Sequence, residues 1–285
     1  MKILLVNKYL YRKGGAETYF IKLGEYLKSL GNEVEYFGMA DERNCVENRV
    51  EAYTENIDFH KKSLKHITYP FKIIYSVNAR KQIRKVLSDF KPDVVHLNNF
   101  NYQLTPSIIY EIKKHNIPIV YTAHDVQLVC PNHKLKNDYT DGLCRKCDGG
   151  KYFECVKNNC VHSSKIRSIL GAVEAWYYKL RHTYKMIDLT VCPSEFMEKE
   201  ISRNDDINGR TVTMYNFIDE IKPLGAECEN YVLYFGRYSE EKGISNLVKA
   251  AKKLSNIPFV FAGKGELENE VNSADNIKNV GFKTG

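Results

Sequence analysis

The sequence predicts an open, doubly wound α/β fold, and three observations predict it. Short apolar runs alternate with longer amphipathic stretches over the whole 285 residues. Glycine turns or proline lead-ins punctuate the runs. Polar residues follow directly on several runs, at the strand ends where such sheets carry their ligand crevice. At about 150 residues per domain the length suggests two domains. With 43% hydrophobic and 27% charged residues the chain is globular in composition, which excludes wholesale disorder and a fibrous repeat.

The elements follow in order. Lys2–Asn7 is a first strand: its apolar run meets Asn7 and Lys8 too soon for a secretory leader, and no run approaches the ~18 residues of a membrane span, so a cytoplasmic protein is expected. After the turn Lys13-Gly14-Gly15-Ala16, Glu17–Leu30 is a helix, with Tyr19, Phe20, Leu23, Tyr26, Leu27 and Leu30 at helical spacing and Gly31 closing it. Strands are expected at Glu33–Phe37, at Val94–Leu97 after Pro92-Asp93, at Ile119–Thr122 after Pro118, at Leu189–Cys192 and at Val212–Tyr215. A second unit opens with a strand at Val232–Phe235, a helix at Gly243–Leu254, a strand at Phe259–Ala262 and a last one starting at Val280–Phe282. The domains are therefore placed at 1–220 and 221–285, the second as the first part of a Rossmann-like domain in a truncated sequence, because such a sheet usually has about 5–6 strands.

Several residues suit chemistry. Gly14 and Gly15, before a helix, let a ligand approach the backbone where free N–H groups favour an anion; a tight turn is the simpler alternative. The pattern is not G-x-G-x-x-G, which disfavours a nicotinamide enzyme. His96 with Asn98 and Asn99, and His124 with Asp125, follow strands in the same way and should converge on one crevice. Arg237 and Lys242 bracket the start of the second unit's first helix, where two cations could offset a diphosphate; an exposed ion pair with Glu240 or Glu241 is the alternative.

Taken together, Gly14-Gly15-Ala16-Glu17, Pro92 to Asn99, Tyr121 to Asp125, Pro193-Ser194-Glu195-Phe196, Tyr215 to Asp219 and the Gly236-Arg237 to Lys242-Gly243 stretch resemble, in order, glycosyltransferase family 4. The resemblance implies a GT-B fold, an acceptor-side first domain, a second domain that binds a nucleotide sugar, and a retaining, hexosyltransferase-like reaction without a catalytic metal or other cofactor. It implies that Gly14 and Gly15 face the donor diphosphate, that His124 lines the transfer site with Asp125 as an orienting residue, and that Arg237 and Lys242 hold the diphosphate. His96, Asn99, Ser194 and Asn216 would line the rest of the cleft. The acceptor would be a glycan or a lipid-linked glycan of surface polysaccharide or glycolipid synthesis. The family's donor-binding Glu-x7-Glu motif has no match after residue 230. Activity is therefore expected of a longer protein.

A cysteine-rich insertion spans 130–160. Cys144, Cys147, Cys155 and Cys160 lie within seventeen residues, with Cys130 upstream, and paired thiols on short loops suit a structural zinc. Free thiols and disulfides are the alternatives, the latter disfavoured in a reducing compartment. The resemblance extends here too, since similar insertions follow the His-Asp motif in part of the family.

The net charge of +7 is concentrated. Residues 58–90 hold eight basic residues against two acidic ones, and residues 161–185 hold five against Glu174. Aromatic residues are interleaved in both: Phe59, Tyr69, Phe71 and Tyr75, then Trp176, Tyr177 and Tyr178. This predicts reversible association with an anionic membrane surface, on the inner face of the membrane for a cytoplasmic protein. Solvated helix faces are the plain alternative. A zinc-ribbon nucleic-acid-binding protein is the competing function, but no recognition helix or RNA-binding signature accompanies the cysteines, and no nucleic-acid partner is expected.

Overall fold

In the computed structural model, which describes residues 1–56, 69–137, 142–218 and 229–283, the first apolar run is strand β1 (Lys2–Val6). It leads through helix α1 (Gly15–Ser29) to β2 (Glu33–Phe37). At the end of α1 the Gly31 N–H bonds Lys28 O and the Asn32 N–H bonds Leu27 O, the paired closure the sequence predicts. Then follow α2 (Tyr69–Ile74), α3 (Val77–Phe90), β3 (Val94–Leu97), α4 (Ser107–Lys114), β4 (Ile119–Thr122), α5 (Phe153–Lys157), α6 (Lys165–Leu180), β5 (Leu189–Cys192), α7 (Glu195–Ile201) and β6 (Thr211–Thr213). These make one unit, Met1–Ile218.

Its six strands are all parallel, in the order β2-β1-β3-β4-β5-β6. Because β1 pairs with both β2 and β3, the winding reverses there, and a switch point opens at the carboxyl ends of β1 and β3. Val6 pairs with Leu97, and Leu97 with Tyr121, so the residues after β1, β3 and β4 leave the sheet at one level. The two-residue period of β1 sends Leu4 and Val6 into the larger core, with Val95, Leu97, Ile119 and Tyr121, and sends Ile3 and Leu5 to the opposite face with Phe20, Ile21 and Tyr36. Both faces are covered, as a parallel sheet requires.

Asp219–Gly285 forms a second unit. Its parallel strands β7 (Val232–Phe235), β8 (Phe259–Ala262) and β9 (Ile277–Gly281) lie in that order. Helices α8 (Ile244–Lys253) and α9 (Glu268–Val271) help to bury Tyr238, Val248, Phe261 and Val271.

Three expectations need correction. The predicted strand Val212–Tyr215 is Thr211–Thr213: β6 is the sheet's last strand, and Met214 and Tyr215 run out of it exposed. The final strand begins at Ile277, not Val280, since Ile277 pairs with Phe259; a single apolar residue between Asn276 and Lys278 hides this start. On α1, Tyr26 and Leu30 are exposed, because the buried face is the one carrying Phe20, Ile21 and Gly24. A Cβ at Gly24 would come within 2.2 Å of Tyr36 Oη, so only glycine lets the helix lie this close to β2.

The basic stretches are partly consumed by the fold. Arg80 and Arg84 on α3 clamp the buried Glu111 of α4 at 2.7 and 2.6 Å, while Phe59, Tyr69 and Phe71 lie outside the described side chains. Helix α6 does present an outward stripe, with Ile166, Ile169, Val173, Trp176 and Leu180 exposed. Tyr178 is instead fully buried, and its hydroxyl donates to Ile74 O. Among the described residues no helix is long and apolar enough to cross a membrane.

Candidate functional site

The switch point is built from asparagines. Asn7, directly after β1, accepts the Asn99 N–H on Oδ1 at 2.9 Å, and the Lys8 N–H bonds Asn99 O at 2.7 Å. Asn98 continues β3 by donating its N–H to Val6 O. Asn99 Nδ2 lies 3.4 Å from Oε1 of Glu17, a buried carboxylate in the first turn of α1. These bonds fasten the start of α1 to the ends of β1 and β3.

The two histidines converge as predicted. His96 Nε2 lies 2.8 Å from Thr122 Oγ1, so the β3 side chain reaches across to the end of β4. His124 Nε2 lies 2.9 Å from Asn98 Oδ1. Burial pushes the His96 imidazole down to about 4, with His124 adding to the effect. Burial likewise pushes His124 down to about 4, against the opposing charge of Asp125. Both rings are neutral near pH 7. Tyr19 of α1 sets its ring edge-on to His124 at 5.4 Å and meets Phe217 at 5.3 Å, closing one side of the site.

Asp125 turns the other way. Its Oδ1 accepts the Gln127 N–H at 2.9 Å and its Oδ2 lies 3.2 Å from His133 Nδ1. Lys8 Nζ donates to Asn101 Oδ1 at 2.8 Å, and burial pushes its ammonium down to about 8 despite the nearby Asp125 and Glu17 carboxylates. Glu174 of α6 stands close enough to feel His133, but burial dominates and pushes it up to about 7.

Gly14 is the N-cap of α1 and has no side chain to cap it, and among the described residues no side chain bonds the first N–H groups of that helix, which suits an anionic ligand. Nothing stands within 4 Å of the place a Cβ on Gly15 would occupy. In the second unit Arg237 lies in the turn after β7. Its backbone is held by Gly236 N–H to Ala262 O and Tyr238 N–H to Lys264 O. Gly263 permits this contact, because a Cβ there would meet Gly236 O at 1.9 Å. The Arg237 guanidinium is exposed and 3.7 Å from Glu241. Lys242 ends the short 3-10 turn Glu240–Lys242 that leads into α8. Gly14-Gly15 and Arg237-Lys242 belong to different units.

Ser194 caps α7, accepting the Met197 N–H at 3.2 Å, and this capping employs the hydroxyl. Asn216 is exposed on the segment after β6. Sequence reasoning missed Tyr19, Lys8, Asn101, His133 and Glu174. Lys8 and Asn101 had a usable signal, since each closely follows a strand. His133 and Glu174 had none, because a loop and a distant helix bring them in.

Five thiols, Cys130, Cys144, Cys147, Cys155 and Cys160, line one small cavity together with Leu135 and Arg145. All are free, and Cys144 N–H bonds Leu135 O. Among the described residues no group of three or more His, Cys, Asp or Glu side chains is already arranged to hold a metal ion.

The parallel α/β architecture and its structural neighbours define a GT-B-type fold. The neighbours include Anabaena Alr3699/HepE in complex with UDP and glucose (TM-score 0.57, 15% identity, 100% of this chain and 70% of that one). Sucrose-phosphate synthase from Thermosynechococcus elongatus is another (TM-score 0.62, 14% identity, 99% and 70%). A curated relative, an uncharacterized 42.6 kDa protein in the cps region of Klebsiella pneumoniae, is 25% identical over 280 residues, covering 93% of this chain and 68% of its own length. Residues 13–221 match Glycosyltransferase Family 4, and residues 217–284 match Glycosyl transferases group 1. The chain belongs to glycosyltransferase family 4.

Proposed function

We propose that the chain takes part in retaining transfer of a hexose from a nucleotide sugar to a glycan or lipid-linked acceptor in surface polysaccharide or glycolipid synthesis. The observation that carries this reading is the meeting of His124, Asn98, Asn99 and the uncapped start of α1 at the sheet's switch point. Open N–H groups at Gly14 and Gly15 bind the anionic part of the donor. With its Nε2 proton directed at Asn98 Oδ1, His124 keeps a lone pair on Nδ1, which accepts from a sugar hydroxyl. Arg237 and Lys242 stabilise charge on the departing diphosphate. The acceptor hydroxyl attacks from the leaving-group face, so no protein nucleophile is required. The UDP-glucose complex of HepE supports a nucleoside diphosphate sugar as donor class.

Two further features complete the reading. The convergence of the thiols on one cavity supports a structural zinc held by Cys144, Cys147, Cys155 and Cys160. The exposed stripe of α6, flanked by Lys165, Arg167 and Arg181, supports reversible docking on an anionic inner-face membrane.

Calorimetric titration with UDP, UDP-glucose and a mixed-sequence oligonucleotide tests the reading. Binding of the nucleotide sugar with weak, nonspecific oligonucleotide affinity is expected. Steeply salt-dependent oligonucleotide binding without nucleotide-sugar binding would replace it with the nucleic-acid reading.

A further inference from the structure

We infer that His133 is a positioning residue for the Asp125 carboxylate, brought to the end of β4 by the loop that carries the cysteines. Its part in turnover rests on the transferase reading above. His133 Nδ1 has two neighbours, Asp125 Oδ2 at 3.2 Å and Asn101 Nδ2 at 3.3 Å. The carboxylate offers only lone pairs and the amide nitrogen only N–H groups, so Nδ1 can serve one of them at a time. A hydrogen bond to an ionised acceptor is roughly twice as strong as a neutral one, which selects the Nδ1–H form aimed at Asp125. With Gln127 N–H on Oδ1, both carboxylate oxygens are then held. Burial by itself would raise the Asp125 carboxyl, yet His133, the Gln127 N–H and Lys8 together hold it below its ordinary value.

Stacking also holds the ring. His133 stacks on Tyr102 with centroids 5.6 Å apart and planes 12° apart. Both residues are in the left-handed region, at φ +62° and +61°. The backbone N–H of His133 bonds Cys130 O, which fixes the turn that carries the ring. Lys8 Nζ lies 5.3 Å from the Tyr102 ring and bonds Asn101. Lys8, Asn101, His133 and Asp125 thus form one chain of contacts across the ends of β1, β3 and β4. Holding Asp125 also limits the backbone freedom of its neighbour His124.

The test is a carbon-13 NMR titration of the Asp125 carboxyl in the wild-type chain, in His133→Phe and in His133→Asn. His133→Phe keeps a ring on Tyr102 without an N–H; His133→Asn keeps an N–H near the Nδ1 position without the ring. The Asp125 midpoint should rise most in His133→Phe and by less in His133→Asn, which keeps a hydrogen-bond donor but not the ring's charge. UDP release from UDP-glucose should fall about 10- to 100-fold in His133→Phe with KM changed less than about twofold. An unchanged midpoint in His133→Phe overturns the inference, as does an equal rise in both variants. If either variant fails to fold, long-range nitrogen-15 spectra of the wild type decide the matter: an Nε2–H tautomer at His133 overturns it. A wild-type chain that releases UDP from no nucleotide sugar defeats the transferase reading, while the titration still decides the positioning.

Discussion

His124 donates from Nε2 to Asn98 Oδ1 at 2.9 Å, because a carbonyl oxygen can only accept. The remaining nitrogen, Nδ1, is therefore an acceptor, and burial keeps the ring neutral over the physiological range. Asn98 Nδ2 is buried with no partner among the described residues, a donor held in reserve beside the histidine.

Replacing His124 with alanine should lower UDP release from a nucleotide sugar by about 100-fold. The ring is half-buried at a strand end and not in the core, so the melting temperature should stay close to wild type. Steady-state kinetics alongside thermal unfolding checks both halves. A folded variant with wild-type turnover would remove His124 from the site.

Arg237→Ala and Lys242→Ala should each cost about 2–4 kcal/mol of transition-state stabilisation, read from kcat/KM. Stability should change little, since the Arg237–Glu241 pair is exposed at 3.7 Å and exposed pairs are worth about 0–1 kcal/mol. An unchanged rate in the double variant would leave them as surface ion-pair residues.

Glu111 joins α4 to α3 through Arg84 and Arg80. The Arg84 hydrogen bond, reinforced by Arg80 against the effect of burial, holds its carboxyl down to about 2 from an ordinary 4.5. A depressed carboxylate contributes stability in full above its unfolded value and loses it as pH falls through the folded one. Between about pH 4.5 and 2, wild type should therefore lose stability that Glu111→Gln never had. Urea unfolding at pH 7 and at pH 3 should show the difference between the two proteins shrinking at the lower pH.

The cysteine cavity should hold about one zinc per chain, released by a thiol-modifying reagent. Elemental analysis of protein purified without chelator measures it. Absence of metal would leave the five thiols as a reduced, partly buried cluster.

Sedimentation with vesicles of increasing anionic lipid content, at low and high salt, addresses α6. Binding should grow with anionic fraction and weaken with salt, each cation near the surface adding up to about 1 kcal/mol. Replacing Ile166, Trp176 and Leu180 with serine should reduce it. Equal binding to neutral and anionic vesicles at low salt would end the membrane reading.

Much of the scaffold could be read from residue order because its signals are local. Apolar runs such as Leu4-Leu5-Val6 and Val94-Val95 suit strands buried on both faces, and the Gly31 stop suits a helix end; neither depends on distant partners. The boundaries that moved did so for non-local reasons. Thr213 ends β6 because its partner strand β5 ends opposite it at Cys192, and Ile277 starts β9 because Phe259 stands opposite it. Tyr26 has helical spacing but faces outward, since Gly24 rather than a large residue marks the helix face against β2.

The site divides the same way. The sequence determined that His96, Asn99, His124 and Asp125 follow strands, and strand polarity alone brings such residues to one edge of a parallel sheet. Tertiary structure decided what they do there. The pairing of Val6 with Leu97 sets Asn7 against Asn99, and the reach of β3 side chains across to β4 gives His96 the Thr122 hydroxyl. It also decided that Arg80 and Arg84 are spent on Glu111, and that a cysteine loop supplies His133 to Asp125. The reason is geometric: a periodic pattern fixes which face a residue takes within its own element, whereas a partner 8 or 27 positions away is fixed only when the loops and helices between them have packed.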